Sequence, residues 1–495
     1  MYFLPFGAAG SDCVMKRSRV LLVLGAAWSF SAAANLQPQD LFFISTHRYP
    51  TQIVSDDKVA YVLTENGVLY YDYNRDQWMD DIGAGLGVSN IAYLPDKNLL
   101  LLATPNGTLE YNPVFRQVTP SSVPFQGTSA AGGNPGDLNG LQLGNDYTYL
   151  TQSGVGIVRD RYNRRDSVSL ATVFNYDHLW VLTSGGGAFL GSARRKEADS
   201  KWFGLYDSSV TSVFSDGKQI WFGSPNPAGA LVQASIDLST WKTYASQQDY
   251  DFINGSISDI AEWRGYLWLA TGEGVVRQDL QSGQFHLYQR MQGSTGVVVT
   301  RLFVHQDQLY AGTANGIAVM DDPDGQFHNS DLPLNVTFVG NDFCSKDSDL
   351  WAATSLGLFV LQKNGWKSIK DVTKQDVPDA VGEDVPSVAF HDSSLYWASA
   401  ARVYEKPRRQ ETAPLFDVPS PGTAVFRISF DGDNLFAGFD AGVRVFNVKT
   451  RLYADFLLSD GIPGTKVQSY CVNNGFLWIG TDFGVMRIAL KSYLP

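Results

Sequence analysis

The stretch Val467-Gln-Ser-Tyr-Cys-Val-Asn-Asn-Gly-Phe-Leu-Trp-Ile-Gly-Thr-Asp-Phe-Gly-Val-Met-Arg-Ile488 decides the fold. An alternating run leads into the polar turn Asn473-Asn474-Gly475. A second apolar run, Phe476 to Thr481, ends in a Gly-containing turn, and a third run follows. Side chains alternate between the faces of a strand, and turn residues between such runs mark hairpins. The stretch therefore predicts a three-strand antiparallel meander.

The same plan recurs upstream. It centres on Trp221, Trp268, Tyr310, Trp351, Tyr396 and Phe436. Earlier copies centre on Tyr61, Leu101, Thr148 and Trp180. With Trp478 that makes eleven anchors, separated by 32 to 47 residues and mostly by about forty. Such a period, with a fourth strand after each third one, is the signature of propeller blades. Gln284 to Tyr288 and Leu452 to Phe456 are examples of that fourth strand. A lone unit exposes two apolar faces, and stacking buries both, so the repeats stabilise one another. The recurring ring on the second strand is expected to fill the space between blades. The expected fold is thus an all-β propeller of about eleven four-stranded repeats.

The last unit lacks an outer strand, and Leu41-Phe-Phe-Ile-Ser-Thr46 has no unit of its own. That segment is expected to complete the final blade and close the ring, which removes exposed sheet edges. Eleven units exceed the roughly four to eight blades of an ordinary ring. Either one oversized ring forms, or two smaller propellers share the chain. If the termini pair in the second case, one propeller must be inserted in the other. The Gly-rich stretch Gly127 to Gly136 reads as a surface loop or as a connection between them.

The N-terminus reads as an export signal. Lys16, Arg17 and Arg19 form a basic region, Val20 to Trp28 is mostly apolar, and Ala32-Ala33-Ala34 suits cleavage. Residues 1–34 are therefore expected to be a signal peptide, with Met15 as the true start, and 35–495 the repeat region. The apolar run is short for a membrane span, and no later segment resembles one. A periplasmic or extracellular location follows. The net charge of −12 disfavours nucleic acid as a partner, because phosphate binding needs concentrated Lys and Arg.

The LWIGT-x-x-G core, preceded by a V-x-x-apolar strand, resembles the two-component-regulator propeller repeat. Val467 to Val485 and Ile257 to Val276 match it best, and Asp460-Gly-Ile-Pro-Gly464 has the same character. The resemblance spans nearly all of residues 35–495, with the earlier units degenerate. It implies a binding platform. Members of that family include periplasmic sensor halves of hybrid histidine kinases and a propeller subunit of the type IX secretion apparatus. No membrane helix, kinase or C-terminal β-sandwich follows the repeats, so direct signalling is not expected of this chain.

Alignment on the anchor ring gives three columns on the innermost strand. Eight residues before the anchor stand Val213, Ile260, Leu302, Phe343, Val388, Ile428 and Tyr470, an apolar column expected at a blade interface. Seven before stand Val173, Phe214, Ala261, Phe303, Cys344, Ala389, Ser429 and Cys471, so both cysteines are expected to pack unpaired in different blades. Nine before stand Ala171, Ser212, Asp259, Arg301, Asp342, Ser387, Arg427 and Ser469. Innermost strands line a propeller's channel, so Asp259, Arg301, Asp342 and Arg427 are expected as a charged ring there. Such a ring is either a structural ion-pair belt or a ligand pocket in which Arg301 and Arg427 hold an anionic group.

Catalytic motifs are lacking: no HExxH, GxSxG, Walker or CxxC pattern occurs. His305 and His391 occupy equivalent turns, which favours a structural role. Asp321-Asp322-Pro-Asp324-Gly325 lacks the ligand series of an EF-hand and reads as an acidic turn. No cofactor or metal is expected. The first expectation of function is an exported, non-catalytic platform for a protein or glycan partner, with a cell-envelope assembly as a candidate setting. Two alternatives stand beside it. One is a polysaccharide lyase or hydrolase with a channel-mouth site, where Asp259 and Asp342 are the candidate carboxylates. The other is a detached periplasmic sensor domain.

Overall fold

The structure is a computed structural model. It describes residues 32–33, 36–37 and 40–494, apart from 84, 126–137, 145–146, 161–164, 176–177, 226–229, 246–255, 290–297, 331, 333–335, 374–376, 378–379, 409 and 420–423. The basic and apolar parts of the expected signal peptide, and the stretch Gly127 to Gly136, lie outside the described residues. Ala32–Ala33 forms a short parallel pairing with Ala454 and Asp455. No described helix is long and apolar enough to cross a membrane.

The chain is all-β. Its described α-helix is the single turn Ile369–Thr373. Nearly all strands fall into antiparallel meanders of four. From Ser212 onward there are seven such sheets, and their innermost strands are Ser212–Ser215, Ile257–Trp263, Val299–His305, Gly340–Lys346, Ser387–His391, Val425–Asp431 and Val467–Asn473. Each sheet touches the next in sequence, and the seventh also touches the first.

The anchor rings explain this order. Trp221 packs against the second of these sheets, Trp268 against the third and Tyr310 against the fourth. Trp351, Tyr396 and Phe436 repeat the step. Trp478 then packs against Val213 and Phe222 of the first. All seven are buried. The column eight residues before each anchor faces the opposite neighbour: Leu302 joins the cluster of Trp268, and Phe343 that of Tyr310. Each sheet thus buries both faces, as the apolar columns require. Burying a large side chain contributes about 1.5–3 kcal/mol, so the interfaces supply the main stabilisation.

The seventh sheet takes its outer strand from the start of the chain. Leu41–Ile44 pairs antiparallel with Val485–Ala489, with Leu41 opposite Ile488 and Ile44 opposite Val485. The expectation for Leu41 to Ile44 is met, whereas Thr46 turns away and bridges Leu205. On this pairing the Arg487 guanidinium lies 4.9 Å from the Phe42 ring, 5.0 Å from Phe476 and 5.5 Å from Trp478. Burial holds its pKa below the usual arginine value.

Between Ile44 and Ser212 the chain builds a separate group of sheets. Gln52–Ser55 to Gln77–Ile82 is one meander, and Asn90–Leu94 to Gln117–Pro120 another. Gln142–Leu143 to Glu197–Ser200 form one seven-stranded sheet that closes on itself through Gln142 and Glu197. Its strand Arg165–Asn175 serves two repeats at once, pairing with Val155–Asp160 along its first half and with His178–Thr183 along its second. Tyr61 and Trp180 are buried at the contacts of this group. At the third repeat the expected anchor slips by one residue: Tyr149 is buried and Thr148 is not.

Candidate functional site

The motif T-x-x-G fixes the rim of four of the seven sheets. Thr271 Oγ1 donates to the Gly274 carbonyl at 2.9 Å, Thr313 to Gly316 at 2.9 Å, Thr354 to Gly357 at 2.8 Å and Thr481 to Gly484 at 3.1 Å. These turns hold the second strands in register, and the second strands hold the innermost ones.

The innermost strands are then stitched to each other around the channel. Thr211 Oγ1 donates to the Ile257 carbonyl at 2.7 Å, and Ser258 Oγ to the Val299 carbonyl at 2.6 Å. Thr300 Oγ1 reaches the Gly340 carbonyl, and Asn341 Nδ2 the Val385 carbonyl at 2.9 Å. These residues stand ten before the anchor, one step beyond the columns read from the sequence. Their signal, a short hydrogen-bonding side chain in four consecutive repeats, was present in the alignment.

The next layer contains the expected ring. Asp259, Arg301 and Asp342 come together. Arg301 Nε donates to Asp342 Oδ1 at 2.8 Å, and its Nη1 lies 3.4 Å from Asp259 Oδ1. The Leu302 amide donates to Asp259 Oδ2 at 2.9 Å. Asp342 Oδ2 accepts from Ser387 Oγ and from the Val388 amide, the latter at 3.4 Å. Burial disfavours the Arg301 cation, but the two carboxylates outweigh it and hold its pKa above the usual value. All four carboxylate oxygens accept hydrogen bonds from the protein.

Arg427 does not join this cluster. Its guanidinium makes no ion pair among the described residues; its Nε is buried without a partner, and its charge lies 5.8 Å from the Tyr470 ring. The layer is therefore a closed triad plus one separate cation, rather than four alternating charges. Ser387 Oγ accepts from the Ile428 amide at 2.9 Å, and Ser469 Oγ donates to the Val210 carbonyl at 3.1 Å. Ser212 Oγ is buried with no partner.

Two cavities meet at this layer, and Asp259, Arg301, Asp342 and Arg427 line both. The larger, about 480 Å³, is walled by Phe214, Phe303, Phe343, Phe390 and Phe430. The smaller, about 140 Å³, is walled by hydroxyl and amide side chains including Ser212, Thr300, Asn341 and Gln468. Cys344 lies on the wall of the larger one. Cys344 and Cys471 are both free thiols. Burial pushes the Cys344 thiol well above its ordinary pKa and Cys471 up to about 11.

Elsewhere the sequence candidates have structural partners. Asp324 pairs with Arg277 at 2.9 Å and Asp322 with Arg264 at 3.6 Å. The acidic turn is thus neutralised by arginines. His305 Nε2 lies 3.3 Å from the Ser348 carbonyl, and His391 stacks on Phe430 with ring centroids 4.7 Å apart.

No family model and no curated protein matches the chain. Solved structures do. The extracellular domain of a protein described as the hybrid two-component system BT3049 of B. thetaiotaomicron is 13% identical with a TM-score of 0.47, and the match covers 90% of this chain and 68% of that one. The extracellular domain described for BT4673 of the same organism is 12% identical with a TM-score of 0.47, covering 90% and 65%. PorZ, a surface component of the type IX secretion system of Porphyromonas gingivalis, is 14% identical with a TM-score of 0.48, covering 89% and 74%. These structural neighbours are extracellular domains of two-component-system proteins and a type IX secretion component.

Proposed function

We propose that the chain is an exported, non-catalytic binding platform. Its seven sheets from Ser212 onward, completed by Leu41–Ile44, act as one seven-bladed propeller. The sheets between Gln52 and Ser200 are a second, smaller propeller-like unit inserted into it. The partner is a protein or a glycan, engaged at the channel mouth above Asp259, Arg301, Asp342 and Arg427. One observation carries the reading: a phenylalanine-walled cavity of about 480 Å³ lies on a charged layer whose carboxylates are already satisfied. That volume falls within the range of roughly 300–1,000 Å³ usual for ligand pockets. Asp259 and Asp342 are both bonded to Arg301 and to a backbone amide of the next sheet, which supports a structural ion-pair role for them.

Export supports the same reading through the basic, apolar and small-residue segments before residue 35. Sequencing the N-terminus of the protein recovered from cell fractions tests it; a periplasmic or extracellular chain beginning near residue 35 is expected. For binding, the tests are a glycan array, affinity capture and a polysaccharide-degradation screen. A stable partner without turnover is expected. Turnover of a polysaccharide with no stable partner would overturn the platform reading.

A further inference from the structure

In the seven sheets from Ser212 onward, the layer nine residues before the anchors has seven members, one per sheet. Five of them bond to a neighbouring strand or side chain: Asp259, Arg301, Asp342, Ser387 and Ser469. The other two, Ser212 and Arg427, flank the seventh sheet, one on each side. Both have a buried polar atom with no partner, and both line the smaller cavity. A buried unmade hydrogen bond costs about 1–3 kcal/mol, and two of them in residues that line one cavity set this side of the layer apart from the closed triad.

The type of group follows from the atoms on offer. Every carboxylate oxygen of the layer is occupied, so the layer has little left to hold a cation. Arg427 keeps free N–H donors and an unneutralised charge, and Ser212 keeps a hydroxyl. These suit an oxyanion. The adjoining larger cavity supplies Phe214, two residues beyond Ser212, and Phe430, three beyond Arg427. Its walls suit an apolar or aromatic body. Glu262 also lines that cavity, which favours a ligand with one negative charge over one with several.

We infer that the channel binds an amphipathic monoanion: a single carboxylate, sulfonate or similar oxyanion on an apolar body. The head sits between Arg427 and Ser212, and the body lies against Phe214 and Phe430. This rests on the platform reading and names a ligand class for the same site.

The probe is 1-anilinonaphthalene-8-sulfonate, with uncharged N-phenyl-1-naphthylamine as its matched control, each titrated into the full chain by fluorescence. One saturable sulfonate site per chain is expected. Arg427→Gln should weaken it at least tenfold, Arg427→Lys less, and Ser212→Ala by a few fold. The uncharged control should bind at least tenfold more weakly and be indifferent to Arg427→Gln. If Arg427→Gln does not fold, Ser212→Ala and Phe430→Ala carry the test: Ser212→Ala should weaken the sulfonate alone, and Phe430→Ala should weaken both probes. No saturable site, equal binding of both probes, or a site unmoved by these substitutions would overturn the inference. The platform reading fails separately: it falls if the unmodified chain captures no partner. Capture that survives Arg427→Gln removes only the monoanion proposal.

Discussion

Two arginines in one layer illustrate how differently a guanidinium can be used. Arg301 lies between two carboxylates, and all three side chains are largely buried. Removing it leaves Asp259 and Asp342 facing each other without a counter-charge, and breaking a buried pair in this way is strongly destabilising. Arg301→Gln is expected to lower the unfolding free energy by about 3 kcal/mol in urea titrations. Arg427 has no acid partner, so Arg427→Gln should cost less than about 1 kcal/mol in the same titration. Equal losses would contradict the division of the layer into triad and free cation. The thiols give a second check at this scale. The reactive form is the thiolate, which gains population as pH rises toward the pKa. With Cys471 pushed up to about 11 and Cys344 raised well above its usual value, alkylation of the native chain should keep accelerating, about tenfold per pH unit, from pH 7 to pH 10. A plateau near the ordinary thiol pKa, followed by peptide mass spectrometry, would show the burial to be wrong.

At the scale of the element, the deciding contact is between the last hairpin and the first strand. Gly484 has φ +151°, and a Cβ placed there would come 2.5 Å from the Ile44 carbonyl oxygen and 2.7 Å from the Phe43 ring. Only glycine lets the turn lie so close to the closing strand. Gly484→Ala is expected to cost about 2–4 kcal/mol and to lower Tm, measured by thermal unfolding. Much of this element was legible in sequence. Thr481 and Gly484 stand in the T-x-x-G motif, and the missing fourth strand pointed to Leu41 to Thr46, of which Leu41 to Ile44 pairs. The stitching by Thr211, Ser258, Thr300 and Asn341 was not identified, because their short polar side chains look like ordinary strand-start residues until the next inner strand lies beside them. The charged column was legible as a set, but which acid takes which arginine depends on distances that spacing does not encode. Arg427 therefore read as a member of a ring it does not join.

For the whole molecule, the repeats were countable in the sequence but their closure was not. Nearest-neighbour packing of Trp268 on the next sheet is the same in one wide ring or in two small ones; only the packing of Trp478 on Val213 and Phe222 separates them. The inserted sheets leave and return side by side, with the Leu205 amide donating to the Ser45 carbonyl at 2.9 Å. A buried polar cluster pins this junction. His47 Nε2 lies 2.9 Å from Asp81 Oδ2 and 3.0 Å from Ser45 Oγ, and its Nδ1 lies 2.7 Å from Thr64 Oγ1. Asp81→Ala would leave His47 and Ser45 without their acceptor, and is expected to destabilise the inserted unit by about 2–4 kcal/mol. Hydrogen exchange should then show faster opening of 52–82 than of 257–368; uniform opening would contradict separate units. Ring closure by the first strand underlies the site, since the channel exists only if the seventh sheet meets the first. Phe43 and Met486 are direct cross-strand partners, so their Cα atoms lie within reach of a disulfide. The measurement is oxidation of the double variant Phe43→Cys, Met486→Cys, with Leu41→Cys, Met486→Cys as the out-of-register control. A bond is expected in the first, with a raised Tm, and none in the second; two free thiols in the first, or equal linking in both, would rule out closure by the first strand.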